Sequence, residues 1–124
     1  MFKRVAAPCA LVLALGAASA SAHHSYAMFD RSRTVTLTGT IRQFQWTNPH
    51  SWIQIAAPDE AGVVSEWSVE MGSPFELLRV GWTPTTVKAG DKVSIQIHPV
   101  KDGSKGGGFV SGLDAEGHEL GRSK

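Results

Sequence analysis

The sequence predicts an all-β domain with one short helix, and three observations carry that prediction. Residues 34–46, TVTLTGTIRQFQW, alternate apolar and polar side chains over a long stretch, the period of a strand with one buried face. Residues 52–57, 63–71 and 92–100 are rich in Val, Ile and Trp and alternate in the same way. A single capped-helix signal lies between the third and fourth of these strands. The order strand, strand, strand, helix, strand, strand, with a long bent first strand, is that of a five-stranded Greek-key β-barrel of the OB type. An immunoglobulin-like sandwich needs about seven strands and has no capped central helix.

In the first strand Val35, Leu37, Gly39 and Ile41 share the core face, while the threonines and Arg42 share the other. Gly39 marks a bulge or sharp bend, and Phe44 and Trp46 then fall on the opposite register, as a bulge causes. Thr47–Ser51, TNPHS, is a turn, because Asn-Pro favours turn initiation. The second strand points Ile53 and Ile55 inward. PDEAG connects it to the third, which points Val63, Trp67 and Val69 inward and leaves Glu66 and Glu70 facing solvent.

The helix signal is GSPFELLRVG. Ser73 is the N-cap, Pro74 the first helical residue, and Glu76 completes a capping box. Phe75, Leu77 and Leu78 form its apolar side and Gly81 stops it. Thr83 and Pro84 favour one further helical turn. The fourth strand points Val93, Ile95 and Ile97 in and Ser94, Gln96 and His98 out. KDGSKGGG reads as a flexible glycine-rich loop. FVSGLDAEGHEL then forms a strand, a tight turn near DAEG and a short return strand.

Upstream of the barrel the first 22 residues read as a secretory signal. Lys3 and Arg4 precede the apolar run VAAPCALVLALGAA, and ASA at 20–22 places small residues before a cleavage site. The run is too short to span a membrane. Cleavage is expected after Ala22, with Ala20 the next-best site. AAPC around Cys9 lacks the context of a lipid-attachment cysteine, so no membrane anchor is expected and the destination is the periplasm. The chain then divides into a leader (1–22), an N-terminal arm (23–33), a barrel domain (34–120) and a disordered tail (121–124).

The mature chain has no cysteine, which excludes disulfides, thiolate catalysis and sulfur-rich zinc sites. Its core alone must hold it together. Losing Lys3 and Arg4 takes the basic residues from 12 to 10 against 11 acidic ones, a net charge of −1. With no basic cluster, nucleic acid and anionic membranes are not expected as partners.

All 5 histidines (23, 24, 50, 98 and 118) lie in the mature chain. Cleavage after Ala22 frees the His23 amine, which with its own ring nitrogen chelates one metal ion. Nitrogen donors in a plane suit Cu(II). This arrangement resembles the histidine brace of exported copper carriers and of lytic polysaccharide monooxygenases, a resemblance confined to the N-terminal His. In an OB barrel the loops after strands 1 and 4 flank one face. His50 lies in the first and His98 just before the second, so the expected metal ligands are His23, His24, His50 and His98. The competing readings are a frayed terminus, a turn histidine bonded to backbone near Asn48, and a solvated His98. Met28 and Phe29 serve to anchor the arm on the barrel, and His118 sits on a solvated turn.

Trp46 and Trp52 bracket the first loop and with Asn48 form an alternative face for a small ligand or partner protein. Packing of these rings against the helix and arm is the competing reading. GSKGGG does not follow a strand and open a helix, so it is no phosphate loop. No carboxylate pair or Ser-His-Asp arrangement points to catalysis, and a binding protein rather than an enzyme is expected.

HHSYAMFD, VTLTGTI, WTNPHSWI, GSPFELLRVGWT and KAGDKV, in that order after a leader, resemble an uncharacterised family of short exported bacterial proteins. The resemblance covers nearly all of the mature chain. It implies a Gram-negative envelope protein with a small β-barrel fold and carries no catalytic role. The combined expectation is a carrier or sensor of a copper ion, with the Trp46/Trp52 binding module as its alternative.

Overall fold

The computed structural model describes residues 27–121. Its strands are β1 (Val35–Gln45), β2 (Trp52–Pro58), β3 (Val64–Glu70), β4 (Lys92–Pro99) and β5 (Gly106–Asp114), with one helix, α1 (Pro74–Arg79), between β3 and β4. They close a barrel in the order β1-β2-β3-β5-β4. Every neighbouring pair is antiparallel except β3 and β5, which run parallel. This is the OB arrangement read from the element order. Among the described residues no helix is long and apolar enough to cross a membrane.

Closure depends on β1, whose first half pairs with β4 (Val35–Thr40) and whose second half pairs with β2 (Thr40–Gln45). The strand must therefore bend at its middle. At the bend a side chain on Gly39 would collide with the Ala56 carbonyl oxygen, so only glycine lets the two strands approach. The register shift that moves Phe44 and Trp46 lies later, between Ile41 and Gln43. Gly39 is thus a point of close approach and the bulge belongs to Arg42.

The core is a layer of β-branched side chains. Ile53, Ile55, Val69, Ile95 and Ile97 are 0% exposed, and each stabilises the fold by about 1.5–3 kcal/mol relative to exposure. The helix α1 contributes Leu77 to the same core. Ser73 Oγ accepts from the Glu76 N–H while Glu76 accepts from the Ser73 N–H, a complete capping box, and Gly81 follows the helix at φ 85°. The helix has 6 residues, so it offers one inward position: Leu77 is buried, while Phe75 and Leu78 are exposed, contrary to the expected apolar side. Thr83–Thr86 is a hydrogen-bonded turn rather than a helical one, because Thr86 Oγ1 accepts from the Thr83 N–H and holds the segment closed on itself. Val63 precedes the first β3 pair and is exposed, and Trp67 is half-buried at the edge of the core under the Lys105 ammonium.

The larger correction concerns the glycines. Gly106, Gly107 and Gly108 open β5: all three pair with β3, and Gly107 and Gly108 also pair with β4, so they are strand and not a flexible loop. Their neighbours explain the residue type. A Cβ on Gly107 would lie 2.5 Å from the His98 carbonyl oxygen, and one on Gly108 would lie 3.1 Å from the Phe29 ring. Further on, Asp114–Gly117 is the tight turn, and Leu113 bridges Glu119 on the return.

Candidate functional site

One outward-facing row crosses the barrel in register: Gln45 on β1, Trp52 on β2, Glu70 on β3, Gly108 on β5 and His98 on β4. Glu70 and His98 therefore flank Gly108 two strand spacings apart, about 10 Å. Phe29 from the N-terminal arm sits over Gly108 and is only 8% exposed. His50, Glu70, Met71, Leu77 and His98 join Phe29 in lining a pocket of ≈ 550 Å³.

His50 is fixed by the turn that carries it. The Asn48–Pro49 peptide is cis. Ser51, fully buried, donates its N–H to the Gly72 carbonyl, accepts at its own carbonyl from the Met71 N–H, and accepts at Oγ from the Thr47 N–H. The turn is thereby bolted to the segment between β3 and α1. His50 Nδ1 then lies 3.0 Å from the Met71 carbonyl oxygen. His98 Nδ1 lies 2.8 Å from the Arg33 carbonyl oxygen. A carbonyl only accepts, so both rings carry their proton on Nδ1, and in the neutral form each keeps a lone pair on Nε2. Neither bond matches the simpler readings of a ring turned to backbone near Asn48 or of a solvated His98.

Glu70 is the residue that sequence reasoning missed. Strand parity places it on the outer face, but its side chain is only 11% exposed, with Oε1 3.6 Å from His50 Nδ1. Burial pushes its pKa up, and the neighbouring His50 pulls the other way. An outer-face carboxylate becomes shielded here because Phe29 and the 47–51 turn pack around the same row. No local pattern in β3 announces that.

The remaining expected residues fall elsewhere. His23 and His24 lie outside the described residues. Trp46 packs edge-on against Phe44, centroids 5.8 Å apart, at the rim of the core; Trp52 is half-buried and Asn48 exposed. These three do not line the His50 pocket. Met28 is 45% exposed, so among the described residues of the arm Phe29 is the buried anchor. Among the described residues, the group whose ligand atoms all lie within 4.8 Å of one another is Asp114, Glu116 and His118. It sits on the exposed tip of the β5 turn, where Asp114 Oδ1 already accepts from the Glu116 and His118 N–H groups. His50, Glu70 and His98 are more widely spaced than that.

No curated protein matches the chain in sequence. Among solved structures it is similar to the mitochondrial single-stranded DNA binding protein Rim1 of S. cerevisiae, at 14% identity and a TM-score of 0.47, over 73% of this chain and 97% of that one. A family model matches residues 10–109, from within the expected leader to the middle of β5. The chain belongs to that family, a family of unknown function (DUF6152).

Proposed function

We propose that this barrel binds a divalent transition-metal ion, Cu(II) foremost, as a periplasmic carrier or sensor. In this reading His50 and His98 supply Nε2 from the pocket walls. The amine and ring of His23, freed by cleavage after Ala22, close the site from the N-terminal side, with His24 as an auxiliary donor. One observation carries the reading: both pocket imidazoles donate an Nδ1–H hydrogen bond to a backbone carbonyl. That is how ligating histidines are ordinarily held, with ring orientation and tautomer set by a partner behind the metal. Glu70 supports it by placing a shielded carboxylate beside His50. Arg31 also reaches the pocket, but it is exposed and its charge is screened by solvent and salt.

The test uses protein beginning at His23, the same protein with one Ala added before His23, and the His50→Ala and His98→Ala variants. Cu(II) affinity is measured by competition with a chelator and the coordination sphere by electron spin resonance. The added Ala and His50→Ala are each expected to weaken binding and change the spectrum. If both leave affinity and spectrum unchanged, the reading fails. Mass spectrometry of the exported protein checks the premise, since a chain starting at Ser21 lacks the His23 amine.

A further inference from the structure

We propose that the pocket lined by Phe29, His50 and Glu70 takes a small organic cation, a primary ammonium group on an apolar or aromatic body, with the Glu70 carboxylate as its counter-charge. Such a ligand needs neither a metal ion nor the N-terminal histidines. An ion and an ammonium group are alternative occupants of the His50 side of the pocket. The Glu70 side chain is only 11% exposed, yet its carboxylate accepts no hydrogen bond from a described residue. The His50 Nδ1–H is 3.6 Å away and already donates to the Met71 carbonyl. A carboxylate shielded from water carries its desolvation cost until a donor meets it.

The surroundings select the kind of donor. Among the lining residues Glu70 is the one acid, and Arg31 is the one basic residue besides the histidines. Arg31 is exposed and Glu70 is not, so the charge left unscreened inside the pocket is negative. The acceptors agree with the charge. With Nδ1–H committed to Met71, a neutral His50 offers a ligand only the lone pair of Nε2. A protonated primary amine has three N–H donors and no acceptor, so it suits both the carboxylate and the imidazole and brings the opposite charge. An anionic ligand would set its own lone pairs against both. The rest of the wall is apolar, formed by Phe29, Met71, Leu77 and Phe109. Phe109 is braced edge-on against Trp82, centroids 5.3 Å apart, and aromatic rings attract cations to their faces. The pocket volume of ≈ 550 Å³ falls in the range of small-molecule sites.

The experiment uses the exported protein, stripped of metal by a chelator and titrated to millimolar concentration with three probes on one phenyl scaffold: phenethylamine, phenethyl alcohol and phenylacetate. Amide NMR shifts at Met71, Gly72 and Gly108 locate the binding and give the affinity. The amine is expected to bind roughly tenfold to a hundredfold more tightly than the alcohol, the scale of a hydrogen bond to a charged group. Phenylacetate should bind more weakly than either. Glu70→Gln keeps the shape of the side chain and is expected to bring the amine down to the affinity of the alcohol, leaving the alcohol unchanged. A general loosening of the barrel would weaken the amine and the alcohol alike, so loss of the preference alone is the signature. The probe series on the parent protein decides even where the variant does not fold. Binding of none of the probes, binding without preference for the amine, or a preference that survives Glu70→Gln overturns the proposal. The copper reading stands or falls separately, on the titration of protein beginning at His23.

Discussion

His50 Nδ1 stands 3.6 Å from a Glu70 oxygen, and His118 Nδ1 stands 3.4 Å from an Asp114 oxygen and 3.5 Å from a Glu116 oxygen. By the distance from imidazole to carboxylate the two places are alike. By environment they are opposites: the His50 and Glu70 side chains are 28% and 11% exposed, those of His118 and Asp114 73% and 38%. The turn has the tighter cluster and no means of holding its imidazole except two exposed carboxylates. The pocket has the looser cluster, but each ring is held through Nδ1 by a backbone carbonyl. Proximity makes a chelating group on paper; a fixed tautomer and partial desolvation are what let a weak set of donors outcompete water.

Replacing each histidine in turn breaks that comparison most sharply. In protein beginning at His23, His50→Ala is expected to lower Cu(II) affinity by about 100-fold or more, beyond the effect of losing a supporting group. His118→Ala should change it by no more than about twofold, the scale of a surface substitution away from a site. Chelator competition on both variants decides. A dominant loss from His118→Ala would move the metal to the β5 turn.

Glu70→Gln gives a smaller effect and separates two consequences of one side chain. Removing the carboxylate beside His50 should weaken Cu(II) binding by roughly tenfold, since it lowers the basicity of a supported imidazole. The metal-free barrel should become no less stable in urea at neutral pH, because a shielded charge has been replaced by a neutral amide of the same shape. Loss of stability together with unchanged affinity would make Glu70 a structural partner of the His50 turn.

Legibility in the sequence divides along the same line. The barrel order, the capping box and the inward Ile53, Ile55, Ile95 and Ile97 were readable because each depends on residues two to four apart. The shared pocket of His50 and His98 was readable in outline, since barrel topology brings the loop after β1 near the end of β4. Glu70 was not, because parity tells which face a strand residue takes and not what covers that face; Phe29 does so from 41 positions away in the chain. Gly106–Gly108 misled for the same reason. Their composition is that of a linker, but their cause is a ring from the arm and a carbonyl of β4. A short helix misled through length: six residues present one buried position, so two of its three apolar side chains remain exposed.

The finest distinction between the two places is in proton linkage, where their carboxylates have opposite signs. Burial raises the Glu70 pKa above the ordinary glutamate value. Its contribution to stability is therefore fully present below the unfolded pKa and is lost as pH rises through the folded one. Asp114 is lowered, first by the hydrogen bond from the His118 N–H, with the Glu116 N–H and the His118 charge adding to it. Its contribution is present above the unfolded pKa and is lost as pH falls through the folded one. Titration of the metal-free protein by carboxyl NMR should place the two on opposite sides of their reference values. In urea melts from acid to neutral pH, Asp114→Asn should flatten the acid limb, because a carboxylate whose ionised form the fold prefers has been removed. Glu70→Gln should do the reverse, raising the neutral plateau relative to the acid limb. If both substitutions bend the profile in the same direction, Glu70 is solvated like Asp114, and the shielding that distinguishes the pocket from the turn is absent.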